Sequence, residues 1–452
     1  MKKYGEYTSI GLPWYPNGAP SHWKILRHKN VLTQHKELVG ENSEKYTLLS
    51  LTLNGVIIRD LSEGKGKFSK DYDKYVVVNE GDFVFCLFDI DETPRTVGLS
   101  KHYGMITGAY DVFTPHDINS YYFFYYYLAL DNNKLLKPLY TGLRKVIAYP
   151  TFTTIKFPVP PRYEQDQIVR YLDWQTSRIN KLINGYKRQI ELLEERKRTV
   201  TFYSVVYGLN HNIEMKDSII PWIDHIPAHW SVKKLAQLFT QVKCKNTNLY
   251  EKNLLSLSYG KIKRRNIDAT GGLLPESFEG YNIIEKDDIV LRLTDLQNDH
   301  KSLRTGIATE RGIVTSAYVT IRNFSENNPQ YLHYYLHAFD LNKGFYNVGA
   351  SGVRQSLNWD NIRTLQILLP PLNEQNQIVD YINRASTKID EIKKTYEKKI
   401  ELFLEYRTRL ISDVVTGQID VRDIDIPEYV SEEEYNDDLQ DNNNDMEGDI
   451  NE

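Results

Sequence analysis

The stretch Gly260-Lys261-Ile262-Lys263-Arg264-Arg265-Asn266 puts four cations into seven residues. The matching stretch in the first half of the chain carries Arg59, Lys65, Lys67 and Lys70, and Arg292, Lys301 and Arg304 lie further along the second half. Lysine and arginine neutralise phosphates, and arginine also reads guanine edges through paired hydrogen bonds. DNA binding is therefore one reading of these residues; for any single cluster the other is a solvated loop. Arg144 and Arg354 follow Gly142 and Gly352 at equivalent places. Each either meets a phosphate or braces its domain, and both readings stand at this point.

Residues for bond-making chemistry do not assemble. The sequence has no GxxxxGK[ST] loop, HExxH, CxxC, DPPY/NPPF-type methyltransferase motif or glycine-rich cofactor loop. The acidic pairs Asp89/Asp91 and Asp287/Asp288 lack a nearby lysine arrangement that would suggest a metal-dependent nuclease. No catalytic residue and no metal ligand is expected. Cys86 and Cys244 are the only cysteines, which argues against a disulfide framework and a Cys-based zinc site and fits a reducing cytoplasm. No apolar run approaches the ~20 residues of a membrane span, and the N-terminus has no signal-peptide core. The net charge of −4 conceals an asymmetry: 14 acidic residues and one basic from Asp420 onward leave +9 on the preceding 419 residues.

The cationic stretches sit on a repeated framework. PPRYEQDQIVRYL begins at Pro160 and PPLNEQNQIVDYI at Pro370; over 36 positions from these prolines, 14 are identical. The correspondence extends upstream through LLSL (48–51 and 254–257), YVVVNEGDFVF and YNIIEKDDIVL (from 75 and 281), GMITGAY and GIVTSAY, and FFYYYL and YLHYYL. Even PW followed by HW recurs, at 13–23 and 221–230. The chain is a tandem duplication of a module of about 210 residues. Short β-like runs and turn residues in the first ~150 residues of each module predict a compact α/β domain with a twisted sheet, with a helix near 121–130 and 329–339.

After each double proline the pattern changes. Proline suits a first helical turn, and Glu164 and Glu374 favour its positive end. Apolar residues then recur every seven positions, at Leu172, Ile179, Tyr186, Leu193 and Val200, and at Ile382, Ile389, Tyr396, Phe403 and Leu410. Leu182, Ile183, Ile190, Ile392, Ile400 and Tyr406 add to the stripe. This period predicts coiled-coil helices ending near Gly208 and Gly417. Two such helices related by a pseudo-two-fold axis would pack antiparallel, as a spacer of roughly 60 Å for about 40 residues.

These features together resemble the specificity subunit of type I restriction–modification systems, over residues 1–418. The resemblance implies target-recognition domains at 1–159 and 209–369 and spacer helices at 160–208 and 370–418; the acidic, Asn-rich tail at 419–452 lies outside the repeat, and its composition predicts disorder. It further implies a non-catalytic subunit that reads the two halves of a split site in double-stranded DNA. Its partners would be two methyltransferase subunits and restriction motor-nuclease subunits, which would hold the S-adenosylmethionine, ATP and magnesium. Glu164, Gln165, Glu374 and Gln375 are then expected at helix starts or subunit-docking surfaces. A stand-alone DNA-modifying or DNA-cleaving enzyme and a coiled-coil adaptor without a DNA role are the competing readings.

Overall fold

The computed structural model describes residues 2–59, 72–90, 92–140, 142, 145–210, 212–267, 277–296, 303–348 and 356–429. Lys65, Lys67, Lys70, Arg144, Lys301 and Arg354 lie outside the described residues. The described chain forms two compact units, 2–185 with 398–429, and 186–397.

In the first unit come β1 (Lys24–Arg27), β2 (Leu32–His35), β3 (Leu49–Thr52), β4 (Gly55–Ile58), β5 (Phe83–Phe85), β6 (Val97–Leu99) and β7 (Asp111–Pro115). Helix α1 (Ser120–Asn132), strand β8 (Lys156–Val159) and helix α2 (Arg162–Tyr207) follow. An antiparallel sheet runs β2-β7-β5-β6, while β3 pairs with β4 and β8 with β1. The aromatic run in α1 has a packing cause: Tyr122, Phe123, Tyr126 and Tyr127 fall on one helix face and are fully buried against Phe83, Phe85 and Phe157. Asn119 caps this helix, accepting from the backbone N–H groups of Tyr121 and Tyr122 at 2.9 and 3.1 Å.

The second unit repeats the plan. It holds β9 (Ser231–Lys234), β10 (Phe239–Gln241), β11 (Leu255–Ser258), β12 (Lys261–Arg264), β13 (Ile289–Leu291), β14 (Thr305–Ile307) and β15 (Val319–Asn323). Then come α3 (Pro329–Leu341), β16 (Gln366–Leu369) and α4 (Leu372–Val415). The sheet order β10-β15-β13-β14 matches that of the first unit, and Asn328 caps α3 as Asn119 caps α1. The two aromatic-rich segments are helices, as their sequence predicted.

Each unit contains a segment of both long helices. In the first, Leu172, Ile179 and Ile183 of α2 share a core with Leu410, Ile411, Val414 and Val415 of α4. In the second, Val205 and Val206 of α2 share one with Ile378, Val379 and Ile382 of α4. Contacts in the second unit step down α2 as they step up α4. Lys197 meets Asp390, Glu194 meets Lys393, and the Tyr186 and Tyr396 rings lie 5.2 Å apart. Leu172, Ile179, Ile382, Ile389 and Leu410 are buried, and Tyr186, Leu193, Val200, Tyr396 and Phe403 half-buried. Leu182 and Tyr406 depart from expectation. At 48% and 44% exposure they lie off the packed stripe, because a heptad seam covers only part of a helix surface. Gly208 and Gly417 follow the two helix ends with φ of 76° and 71°, a left-handed conformation natural to glycine.

The start of the acidic tail also differs from a disordered segment. Asp420 and Val421 are buried, the Asp420 N–H donates to the Lys2 carbonyl at 2.9 Å, and Gln167 donates to the carbonyls of Val421 and Ile424. Ile419, Ile424 and Ile426 add apolar contact with the first core, so residues 419–429 are held by burial that the charge count obscured. The remainder of the tail lies outside the described residues.

Candidate nucleic-acid interface

The four-cation stretch is a β-hairpin. Lys261 pairs with Ser258 and Lys263 with Ser256 across β11 and β12. The turn consists of Tyr259 and Gly260, with φ of 47° and 73°, the two positive values that a tight hairpin requires. Because side chains alternate along a strand, Lys261 and Lys263 share one face and Arg264 takes the other. Arg264 pairs with Glu310, whose carboxyl is held below its ordinary range chiefly by that hydrogen bond. Arg265 donates to Ser256 Oγ at 3.1 Å.

The corresponding hairpin of the first unit is β3–β4. Arg59 ends it as Arg265 ends the other: the Arg59 N–H donates to the Leu48 carbonyl, and the Arg265 N–H to the Leu254 carbonyl. Lys261, Lys263, Arg264 and Arg265 are exposed, and Arg59 and Arg292 half-buried. The duplicated scaffold thus shares one arginine at the hairpin end, while Lys261, Lys263 and Arg264 stand where the first unit has Gly55, Ile57 and Ile58.

Arg304 is a correction. Expected to face DNA, it is fully buried, and its guanidinium donates to the carbonyls of Arg292, Thr294 and Asp295 and to Tyr346 Oη. Its backbone N–H donates to Asp340 Oδ2 at 2.6 Å. A charge buried and saturated in this way braces the loop after β13 and cannot reach a phosphate.

The EQ pairs of the repeated phrase are also placed by the structure. Glu164 is fully buried; Trp23 Nε1 donates to it at 2.9 Å, His22 Nε2 lies 2.9 Å away, and the Tyr4 hydroxyl completes the set. In the second unit His229 Nε2 and Trp230 Nε1 approach Glu374 at 2.9 and 3.0 Å. Gln165 Oε1 accepts from the Asn119 N–H and its Nε2 donates to the Pro160 carbonyl, and Gln375 does the same with Asn328 and Pro370. All four are helix-start residues, as expected. The buried Glu164, Gln165 and Gln375 are not docking surfaces, since their polar atoms lock the domain onto its own helix. The paired recurrence of HW and EQ was the available signal for this clamp, but the two halves lie more than 140 residues apart.

Among the described residues no group of three or more metal-ligating side chains occurs, and no helix is long and apolar enough to cross a membrane.

Two copies of one helix-and-strand domain, each with a hairpin and each locked to the start of a long helix, define a duplicated scaffold. The family model described as "Type I restriction modification DNA specificity domain" matches residues 52–192 and 227–402, more than half of the chain and parts of both copies. The chain belongs to that family. It is 23% identical over 274 residues to a putative type I restriction enzyme MjaX specificity subunit of Methanocaldococcus jannaschii, covering 59% of this chain. It is 24% identical over 295 residues to the MjaVIII specificity subunit of the same organism, covering 60% of this chain. The chain spans 60% and 64% of the length of these curated relatives. A solved chain, described in terms of complex assembly and conformational transition of the type I R-M system, shares the fold. Its TM-score is 0.61 at 13% identity, with 89% of this chain and 100% of that one covered.

Proposed function

We propose that this chain is the DNA-reading specificity subunit of a type I restriction–modification complex. The observation that carries the proposal is the family match to both copies of the module. Each target-recognition domain reads one half of a bipartite site in double-stranded DNA. Exposed cations such as Lys261 and Lys263 contact phosphate, and base edges supply the sequence information. The helices α2 and α4 form an antiparallel coiled-coil spacer between the domains, with pseudo-two-fold symmetry. The opposed running of the Glu194–Lys393 and Lys197–Asp390 contacts supports this. The domain boundaries remain those of the duplicated phrase, with recognition domains ending at 159 and 369.

In this proposal the chain itself is non-catalytic and cytoplasmic. It scaffolds two methyltransferase subunits and the restriction subunits, and S-adenosylmethionine, ATP and magnesium belong to those partners. Genome-wide mapping of methylated adenine, with and without this gene in a cell whose partner genes are intact, tests it. Loss of one bipartite methylated motif is expected; an unchanged methylation pattern overturns the proposal. Turnover of DNA by the purified chain alone would favour the stand-alone enzyme instead.

A further inference from the structure

Lys261 and Lys263 line a groove of about 710 Å³ in the second unit. Their shared strand face sets them ~6.7 Å apart along β12. Lys197 and Arg198 of α2 and Lys393 of α4 also line the groove. Its two carboxylates are already matched, Asp390 by Lys197 at 2.8 Å and Glu194 by Lys393. Arg198, Lys261 and Lys263 have no carboxylate partner among the described residues, so the groove carries an excess of positive charge.

His333 and His337 of α3 line the same groove, their rings 5.9 Å apart. Burial lowers both, to about 3 and about 4, so they are neutral and add no charge. His333 Nε2 is buried with no hydrogen-bond partner among the described residues. The residue 210 positions after Lys197 is Arg407 in α4. In the first unit it donates to the neutral Asn180 at 2.6 Å, where Lys197 has Asp390. Both long helices therefore place a cation at this turn.

Lysines at alternate strand positions, with an arginine on a separate wall, spread positive charge along the groove and suit a run of phosphates. We propose that the groove clamps one strand of the DNA backbone, with Arg198 of the long helix joining Lys261 and Lys263 of the hairpin on its phosphodiesters. The proposal rests on the DNA-reading function above. It makes α2 a direct DNA contact as well as a support, so that backbone register is fixed by helix and hairpin together.

The test measures binding of the full chain to a fluorescent duplex by anisotropy between 50 and 200 mM salt. R198A, K261A and K263A are compared singly and combined, and K233A/K286A serves as control at exposed lysines that do not line the groove. Each lost phosphate contact flattens log K against log salt by about 0.9, so the triple variant should lose about 2.7 in slope and the control none. In parallel, lysine acetylation is mapped in the unsubstituted chain, with duplex expected to protect Lys261 and Lys263 and ATP not to. A folded triple variant with unchanged slope overturns the clamp and leaves the DNA-reading function standing. ATP protection equal to that by duplex reassigns the groove to a free nucleotide. A chain that binds no duplex overturns both proposals.

Discussion

Replacing Glu164 by alanine tests the clamp between the repeated phrase and its domain. Glu164 is fully buried, Tyr4 and Trp23 are each 5% exposed, and two of the three clamp donors come from those buried rings. Burial, with Glu164 next, pushes the Tyr4 phenol well above its ordinary range, so it remains a donor at any working pH. Removing the carboxylate strands the Tyr4 hydroxyl and Trp23 Nε1, at about 1–3 kcal/mol for each buried unsatisfied group, and a cost near 4 kcal/mol is expected. Glu374 makes the counterpart comparison. Its side chain is 19% exposed and its two partners are His229 and Trp230, so water can replace part of what E374A removes. That variant should cost about 2 kcal/mol less than E164A. Denaturant unfolding with hydrogen exchange read separately in each unit is the assay, because two units need not unfold together. Equal losses for the two variants, or a loss below 1 kcal/mol for E164A, would refute the reasoning.

Other perturbations have equally definite outcomes. His28 is fully buried between the Phe152 carbonyl, 2.8 Å from Nδ1, and the Tyr127 hydroxyl, and burial lowers its pKa from 6.5 to about 3. The unfolded chain then binds a proton that the folded chain does not, so stability falls as pH drops below 6.5, by about 2 kcal/mol at pH 5. H28Q should lower stability overall yet flatten this pH dependence, as urea midpoints from pH 7 to 5 would record. Leu172→Ala, at a fully buried position, should cost about 2–5 kcal/mol, whereas Leu182→Ala at 48% exposure should fall within about 0.5 kcal/mol of zero in thermal unfolding. R304A should destabilise the second unit by about 3 kcal/mol or more, by stranding buried carbonyls. It should leave the salt dependence of DNA binding unchanged, which separates it from R198A.

The legible parts of this protein share one physical property: their signal is local or repeated. The heptads of α2 and α4, the asparagine caps before the aromatic helices and the glycines after the long helices each report a backbone geometry within a few residues. Arg304 and Lys263 illustrate what local chemistry leaves open. Both are cations of one domain, Arg304 just before β14 and Lys263 within β12, yet one is sealed beneath three carbonyls and the other faces solvent. The carbonyls of Arg292, Thr294 and Asp295 that seal Arg304 are set by tertiary contact, which no spacing in the sequence encodes. Asp420 misled for a related reason. Its charge belongs to an acidic segment, but it is paired with Arg422 at 2.8 Å, which in turn lies over the Tyr4 ring.

The partition of the long helices adds a constraint that repetition alone hid. The module boundary falls at Gly208, whereas the core of the first unit contains Leu410, Ile411, Val414 and Val415 from the end of the second module. That helix end is fastened twice more, by the Tyr7 hydroxyl on the Gly417 carbonyl at 2.8 Å and by the Tyr122 hydroxyl near the Val415 carbonyl. The second unit holds Val205 and Val206 of α2 in the same way, with Tyr331 Oη on the Val205 carbonyl. A tyrosine at equivalent places in α1 and α3 thus receives the end of the other module's helix. Neither sequence module contains all of the apolar surface its own domain buries, so the unit of duplication and the unit of folding are different objects. A substitution at Val414 or Val415 should accordingly destabilise the first unit, although both residues belong to the second copy.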